Sequence, residues 1–178
     1  MPHIHTEIGQ HDLTTTAFII RIEDGQAYGL VHKHKKLGLL LPVGGHVELN
    51  ETPWAAALHE IQEESGYDES QLVVLQPVER IRKMDGVKAH PVPLFLQTHE
   101  FKKDEGHFHS DIGFLFLSNE LPRQLPGTDE SAELFWLSNK QIQARKGEMP
   151  ADIAQIYDFC LTTALEKWDK ISIGEFNR

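Results

Sequence analysis

Three glutamates in one short stretch, Glu60, Glu63 and Glu64, have the spacing to act together. On a helix that advances about 100° per residue they fall within one arc of the surface. Thr52-Pro53 places a capping residue before a proline suited to the first helical position. Trp54, Ala57, Leu58 and Ile61 recur at i, i+3, i+4 and i+7 as an apolar stripe, and Gly66 supplies a stop. The pattern predicts a helix over 52–65, with the carboxylate arc centred about 120° from the stripe that packs on a core. Like charges that close repel one another unless something neutralises them. Hard cations that take oxygen ligands, Mg2+ or Mn2+, answer that need. Gly44-Gly45 lets the preceding loop fold back, so that a backbone carbonyl can complete the ligand set. Taken alone, the three glutamates also fit a solvated acidic helix face.

The residues around them narrow the choice. Gly45, Glu51, Glu60, Ile61, Glu63, Glu64 and Gly66 stand in register with G-x5-E-x7-R-E-U-x-E-E-x-G-U, where U is aliphatic. Six fixed Gly or Glu positions and one aliphatic arise by chance on the order of once in 10⁵ chains of this size. Segment 45–67 thus resembles the Nudix box, and the lead-in over 41–48 looks like the one that precedes the box in many Nudix proteins. The resemblance implies an α/β fold, a Nudix-type α/β/α sandwich with a mixed central β-sheet, the box forming a loop–helix–loop. It also implies a metal-dependent pyrophosphohydrolase that cleaves the diphosphate linkage of a nucleoside diphosphate derivative, NDP-X to NMP plus P-X. Glu60, Glu63 and Glu64 would be the metal ligands, joined by the carbonyl of Gly45, with Mg2+ or Mn2+ as cofactor. Glu51 would support the loop by hydrogen bonding. Glu63, alongside Glu60, is the expected catalytic carboxylate and our choice of general base, with Asp129 and Glu130 as rivals in a later loop.

Two positions depart from the pattern. His59 stands where the family has Arg, and Tyr67 where an aliphatic residue is usual. Histidine can donate a hydrogen bond to neighbouring carboxylates but lacks the five-donor fork and permanent charge of Arg. Weaker or strongly pH-dependent activity near neutrality is the expected consequence. Tyr67, at the helix exit, reads as a packing variation.

Candidate substrate contacts are more scattered. His32-Lys33-His34-Lys35-Lys36 is a basic patch just upstream of the box, so His34 and Lys36 could meet phosphates, though a solvated loop is the plainer reading. Arg80, Arg82 and Lys83 form a similar cluster. In His107-Phe108-His109-Ser110-Asp111 an extended chain would put two histidines and an aspartate on one face, as a second metal site, a substrate contact through His109, or ordinary strand-end residues. His3 and His5 read as tail residues, and Trp54, Trp136 and Trp168 as core.

Strands are predicted over 15–22 and 27–33, joined by an Asp24-Gly25 hairpin, and over 71–78, 92–98, 111–117 and 133–137. Pro42-Val43-Gly44-Gly45 should break regular structure. A second amphipathic helix is predicted over 152–168, with Ile153, Ile156, Cys160, Ala164 and Trp168 on one face. Residues 1–13 read as an N-terminal arm of a single domain over 1–178. Seventeen Lys and Arg against twenty-seven Asp and Glu give a formal charge of −10, which argues against duplex nucleic acid as a partner. A lone cysteine, no apolar run near ~20 residues and no secretory signal pattern point to a cytoplasmic protein with no membrane partner. A homodimer is an open option, since many relatives of the box family form dimers.

Two other readings stand beside the hydrolase. One is a Nudix-fold regulatory module that binds a nucleotide or metabolite with little catalysis; four intact box glutamates argue against it and His59 leans toward it. The other is a His-based transition-metal binder, suggested by three His-x-His pairs. Substrate identity stays open. Neither the proline that follows the box in many ADP-ribose hydrolases nor the tyrosine of dinucleoside polyphosphate hydrolases stands at its expected spacing.

Overall fold

The long strand β1 (His11–Glu23) organises the computed structural model, which describes residues 7–100, 106–128 and 130–176. Its β-branched run ends at Asp24-Gly25, both at positive φ, which suits the tight turn into β2 (Gln26–Lys33). One edge of β1 is shared: β2 pairs along its C-terminal half, and β4 (Val43–His46) along its N-terminal half, with Thr14 opposite His46 and Thr15 opposite Gly45. The other edge pairs in parallel with β7 (Phe108–Ser118), from His11 opposite Phe108 to Arg21 opposite Ser118. Beyond β2 lie β3 (Leu40–Leu41) and β8 (Leu134–Leu137). Beyond β7 lie β5 (Val73–Gln76) and β6 (Phe95–Glu100), and β9 (Asp169–Ser172) closes the far edge on β5. The result, among the described residues, is a mixed nine-stranded sheet.

Alternation along β1 and β7 feeds two cores. Ala17, Ile19, Phe114 and Phe116 face helix α1 (Pro53–Ser65), which contributes Trp54, Ala57 and Ile61. The Trp54 ring stacks on Phe116 at 5.6 Å and meets Phe114 edge-on at 5.3 Å. Phe18, Ile20, Leu115 and Leu117 face the other way, against α2 (Asn139–Ala144) and α3 (Ala151–Phe159). The last helix runs on through a π-helical segment, Cys160–Ala164, and a final turn, Leu165–Lys167. Each large side chain sealed into either core contributes roughly 1.5–3 kcal/mol relative to exposure. This is the α/β/α sandwich that the sequence implies, with the mixed sheet at its centre.

The structure amends several boundaries. β1 starts at His11, so His11–Leu13 belong to the sheet and not to an arm; residues 1–6, with His3 and His5, lie outside the described residues. Pro42-Val43-Gly44-Gly45, expected as a break, gives its last three residues to strand β4, because the N-terminal half of β1 presents an edge that those backbone groups satisfy. Two short elements, α2 and β9, have no counterpart in the sequence reading. Cys160 and Trp54 are fully buried, whereas Trp136 and Trp168 are partly buried. Among the described residues, no helix is long and apolar enough to cross a membrane.

Candidate active site

Helix α1 is fixed at both ends. The Thr52 hydroxyl accepts the Ala55 N–H at 3.2 Å, and Gly66 ends the helix in the left-handed conformation at φ 74°. A side chain at Gly66 would also strike the Gln124 carbonyl, since a Cβ there would lie 2.1 Å from its oxygen. The late loop needs that space. Its Gln124 N–H reaches the Gly66 carbonyl at 3.3 Å and its Gly127 N–H the Glu63 carbonyl at 2.7 Å. Tyr67 and Gln71 hold the same loop by donating to the carbonyls of Glu120 and Leu121, at 2.6 and 2.9 Å. Tyr67 is therefore a buried anchor for this loop.

The box glutamates are not a solvated face. Glu60 and Glu64 are buried at 5% and 7% exposure, while the Glu63 side chain is half-exposed. Strand β4 lies against them. The Glu64 carboxylate accepts the Gly44 N–H at 2.8 Å. The Glu60 carboxylate fills the place of a Gly45 side chain: a Cβ there would lie 2.0 Å from Oε1. Burial, and next the charge of Glu63, pushes the Glu60 carboxyl up to about 7. Burial raises Glu64 to about 8; Glu60 and Glu130 add to the rise against the opposing pull of the Gly44 N–H. Glu60 Oε1 is buried with no hydrogen-bond partner among the described residues. Buried oxygens in mutual repulsion, one of them unsatisfied, fit a hard divalent cation.

His59 sits between two of these acids. Its Nε2 lies 3.0 Å from Glu63 and its Nδ1 3.9 Å from Glu51. Burial lowers its pKa, but the bond to Glu63 and the charges of Glu63, Glu60 and Glu51 outweigh that and leave it raised. Glu51 in turn accepts the Glu48 N–H at 3.0 Å, tying the loop between β4 and α1. His32 reaches Glu64 from β2, with Nε2 at 3.9 Å. Burial, then His34, pushes His32 down to about 4, so a neutral ring faces Glu64. The sequence reading saw His32 only as part of a basic run; alternation in β2, which turns it inward, was the available signal.

The remaining candidates divide. Glu130 comes close enough to interact with Glu64, Glu60 and His34, and Asp129 lies outside the described residues. His34 is thus brought to the site; its Nδ1 accepts the Leu37 N–H at 3.2 Å, and the neighbouring Lys36 is exposed. Arg80 and Arg82 are not brought there. Both bind Asp169 on β9, at 2.7 and 3.3 Å, because that carboxylate caps the far edge of the sheet. His109 is also elsewhere, on the sheet face turned away from α1, where Asp12 is its register partner.

Comparison with known proteins bears on the family and the fold. The NUDIX domain family model matches residues 12–159. A search of curated proteins finds no match. Among solved structures, a NUDIX-family hydrolase from Clostridium perfringens superposes with a TM-score of 0.65 at 23% identity, covering 83% of this chain and 97% of its own. A C. elegans Ap4A hydrolase in a binary complex gives 0.60 at 18% identity, covering 83% and 93%. The NUDIX domain of Shewanella oneidensis NrtR, complexed with ADP ribose, gives 0.59 at 15% identity, covering 86% and 90%. At these identities the likeness is one of fold.

Proposed function

The chain belongs to the NUDIX domain family, and from that premise we propose that it is a metal-dependent hydrolase acting on the diphosphate linkage of a nucleoside diphosphate derivative, NDP-X plus water giving NMP and P-X. The observation that carries the proposal is the pair of buried carboxylates, Glu60 and Glu64, pressed onto Gly44 and Gly45. Glu60, Glu63, Glu64 and the Gly45 carbonyl would hold Mg2+ or Mn2+. Bound there, the ion supplies charge neutralisation for the diphosphate and acidifies water.

The chain's own residues do the rest. Glu63, held by His59 at 3.0 Å, is the carboxylate assigned to accept the proton of the attacking water, with Glu130 as its rival. Glu130 interacts with Glu64 from the late loop. His34, which interacts with Glu130, and its exposed neighbour Lys36 are assigned to the phosphates of the substrate. His59 positions Glu51 and Glu63. A cytoplasmic setting suits the lone buried thiol of Cys160.

A regulatory binding module remains the second reading, favoured by His59 and by the ADP ribose held in the Shewanella domain. The deciding experiment is hydrolysis of a panel including ADP-ribose, Ap4A, nucleotide sugars and nucleoside triphosphates, with Mg2+ or Mn2+, beside Glu64→Gln. Turnover that collapses in the variant supports the hydrolase and names the substrate class. No turnover, with ligands still raising Tm, selects the binding module.

A further inference from the structure

Two adjacent residues of β4 look to opposite sides of the sheet. Gly45, opposite Thr15, faces Glu60 of α1; His46, opposite Thr14, faces the side of α3. The same alternation carries Asp12, Thr14 and Thr16 of β1, together with His109, Asp111 and Gly113 of β7, onto that second face. Farther along the row, Phe18 and Leu115 enter the core under α3. At the near end the row is polar. Asp12 is completely buried, and His107 and His109 are each 7% exposed.

Asp12 is the centre of this group. Its Oδ2 lies 3.1 Å from His107 Nε2 and 3.4 Å from His46 Nε2. Ligand-capable atoms of Asp12, His107 and His109 all fall within 4.8 Å of one another. The His46 and His109 rings are 5.1 Å apart, so His46 closes the fourth side. Neighbouring ligand atoms of a tetrahedral ion bound at about 2.0–2.1 Å stand about 3.3 Å apart. The two Asp12 separations already bracket that spacing.

We propose that Asp12, His46, His107 and His109 form a second metal site, for a first-row transition ion of the Zn2+ type, on the face of the sheet opposite the box. The donor set decides the ion. Three imidazoles and one carboxylate suit Zn2+, Co2+ or Ni2+, whereas Mg2+ requires oxygen ligands and keeps its waters. The alternative is an ion-free network in which imidazoles alone hold the buried Asp12 carboxylate. Next to the ligands, Asp111 is fixed by the hydroxyls of Thr14 at 3.1 Å and Thr16 at 2.9 Å, which stiffens the strands that carry them. An ion here clamps β1, β4 and β7 together one residue from Gly45. The proposal does not depend on what the box hydrolyses.

The test is Zn2+ titration of the full chain, stripped by chelator, against a competing chromophoric chelator. Wild type should bind one Zn2+ tightly at this site. Glu60→Gln/Glu64→Gln, which disables the box, should leave that affinity unchanged, as should His3→Ala/His5→Ala in the N-terminal segment. His107→Ala and His109→Ala should each weaken it about 100-fold with unaltered circular dichroism. Loss of binding in the box or N-terminal variants with retention in His107→Ala and His109→Ala would overturn the proposal, as would no Zn2+ binding by wild type. Where a variant fails to fold, Co2+ in the wild type decides. Intense visible bands of a four-coordinate ion support the site; the weak bands of a six-coordinate ion alone overturn it.

Discussion

The two faces of the sheet at the start of β1 hold titratable clusters of opposite character. On the α1 side the donors are carboxylates carried by one helix, two of them buried against glycines. On the α3 side they are imidazoles around one carboxylate, drawn from β1, β4 and the approach to β7. Hard oxygen donors and borderline nitrogen donors sort different ions even when only a strand separates them. A thin sheet can therefore keep an oxygen-donor cluster and a nitrogen-donor cluster chemically apart without a second domain.

The sharpest way to break that contrast is to remove one oxygen from the box. Glu64→Gln should lower Mg2+-dependent turnover by at least about 100-fold, while Zn2+ affinity at the other face, read by chelator competition, stays as it was. Equal loss at both faces would show one coupled cluster. Next in size is Gly45→Ala. Its new Cβ would meet Glu60 Oε1 at 2.0 Å, the mobile end of a side chain, so the fold accommodates it while the carboxylate moves aside. A displacement of that order should cost about 100-fold or somewhat less in kcat/KM. The loss of Tm should be small, and a large fall in Tm with normal turnover would contradict the close approach.

A third test uses protons. With Glu60 raised to about 7 and Glu64 to about 8, the folded metal-free protein retains protons that the unfolded chain gives up above the ordinary 4.5. Its stability should fall as pH rises through that window, the loss being complete above about pH 8. Mg2+ competes with those protons, so the Tm gained on adding Mg2+ should grow from pH 6 to pH 8.5; a gain independent of pH would remove the box carboxylates as its ligands. The smallest effect is expected from His59→Arg. A permanent charge between Glu51 and Glu63 should flatten the pH–rate profile near neutrality and raise kcat by less than about tenfold. An unchanged profile would take His59 out of the mechanism.

The box was readable because its parts are local. The predicted helix, 52–65, differs by one residue from α1, and its cap, stripe and glycine stop all lie within that stretch. The second helix and most of the strands followed from periodicity in the same way, whereas the mixed central sheet was what the resemblance to the Nudix box implied. What escaped depends on tertiary partners. Segment 43–46 has poor strand propensity and pairs only because the edge of β1 is vacant beside it. Asp12 and His46 show no local signal, since their neighbours come from strands far apart in sequence. Arg80 looked like a phosphate contact until β9 supplied Asp169. Helix α2 could have been found: Ser138 and Gln141 form its capping box, a signal written in the sequence.

The alternation of Gly45 and His46 in β4 has a consequence for how this strand tolerates change. Side chains in a strand have a period of two, so a one-residue slip against β1 exchanges its faces. His46 would then press into Glu60, and Gly45 would leave the Asp12 side empty. Both clusters thus depend on the same four-residue register, and a single insertion or deletion in β4 would disable them in one step.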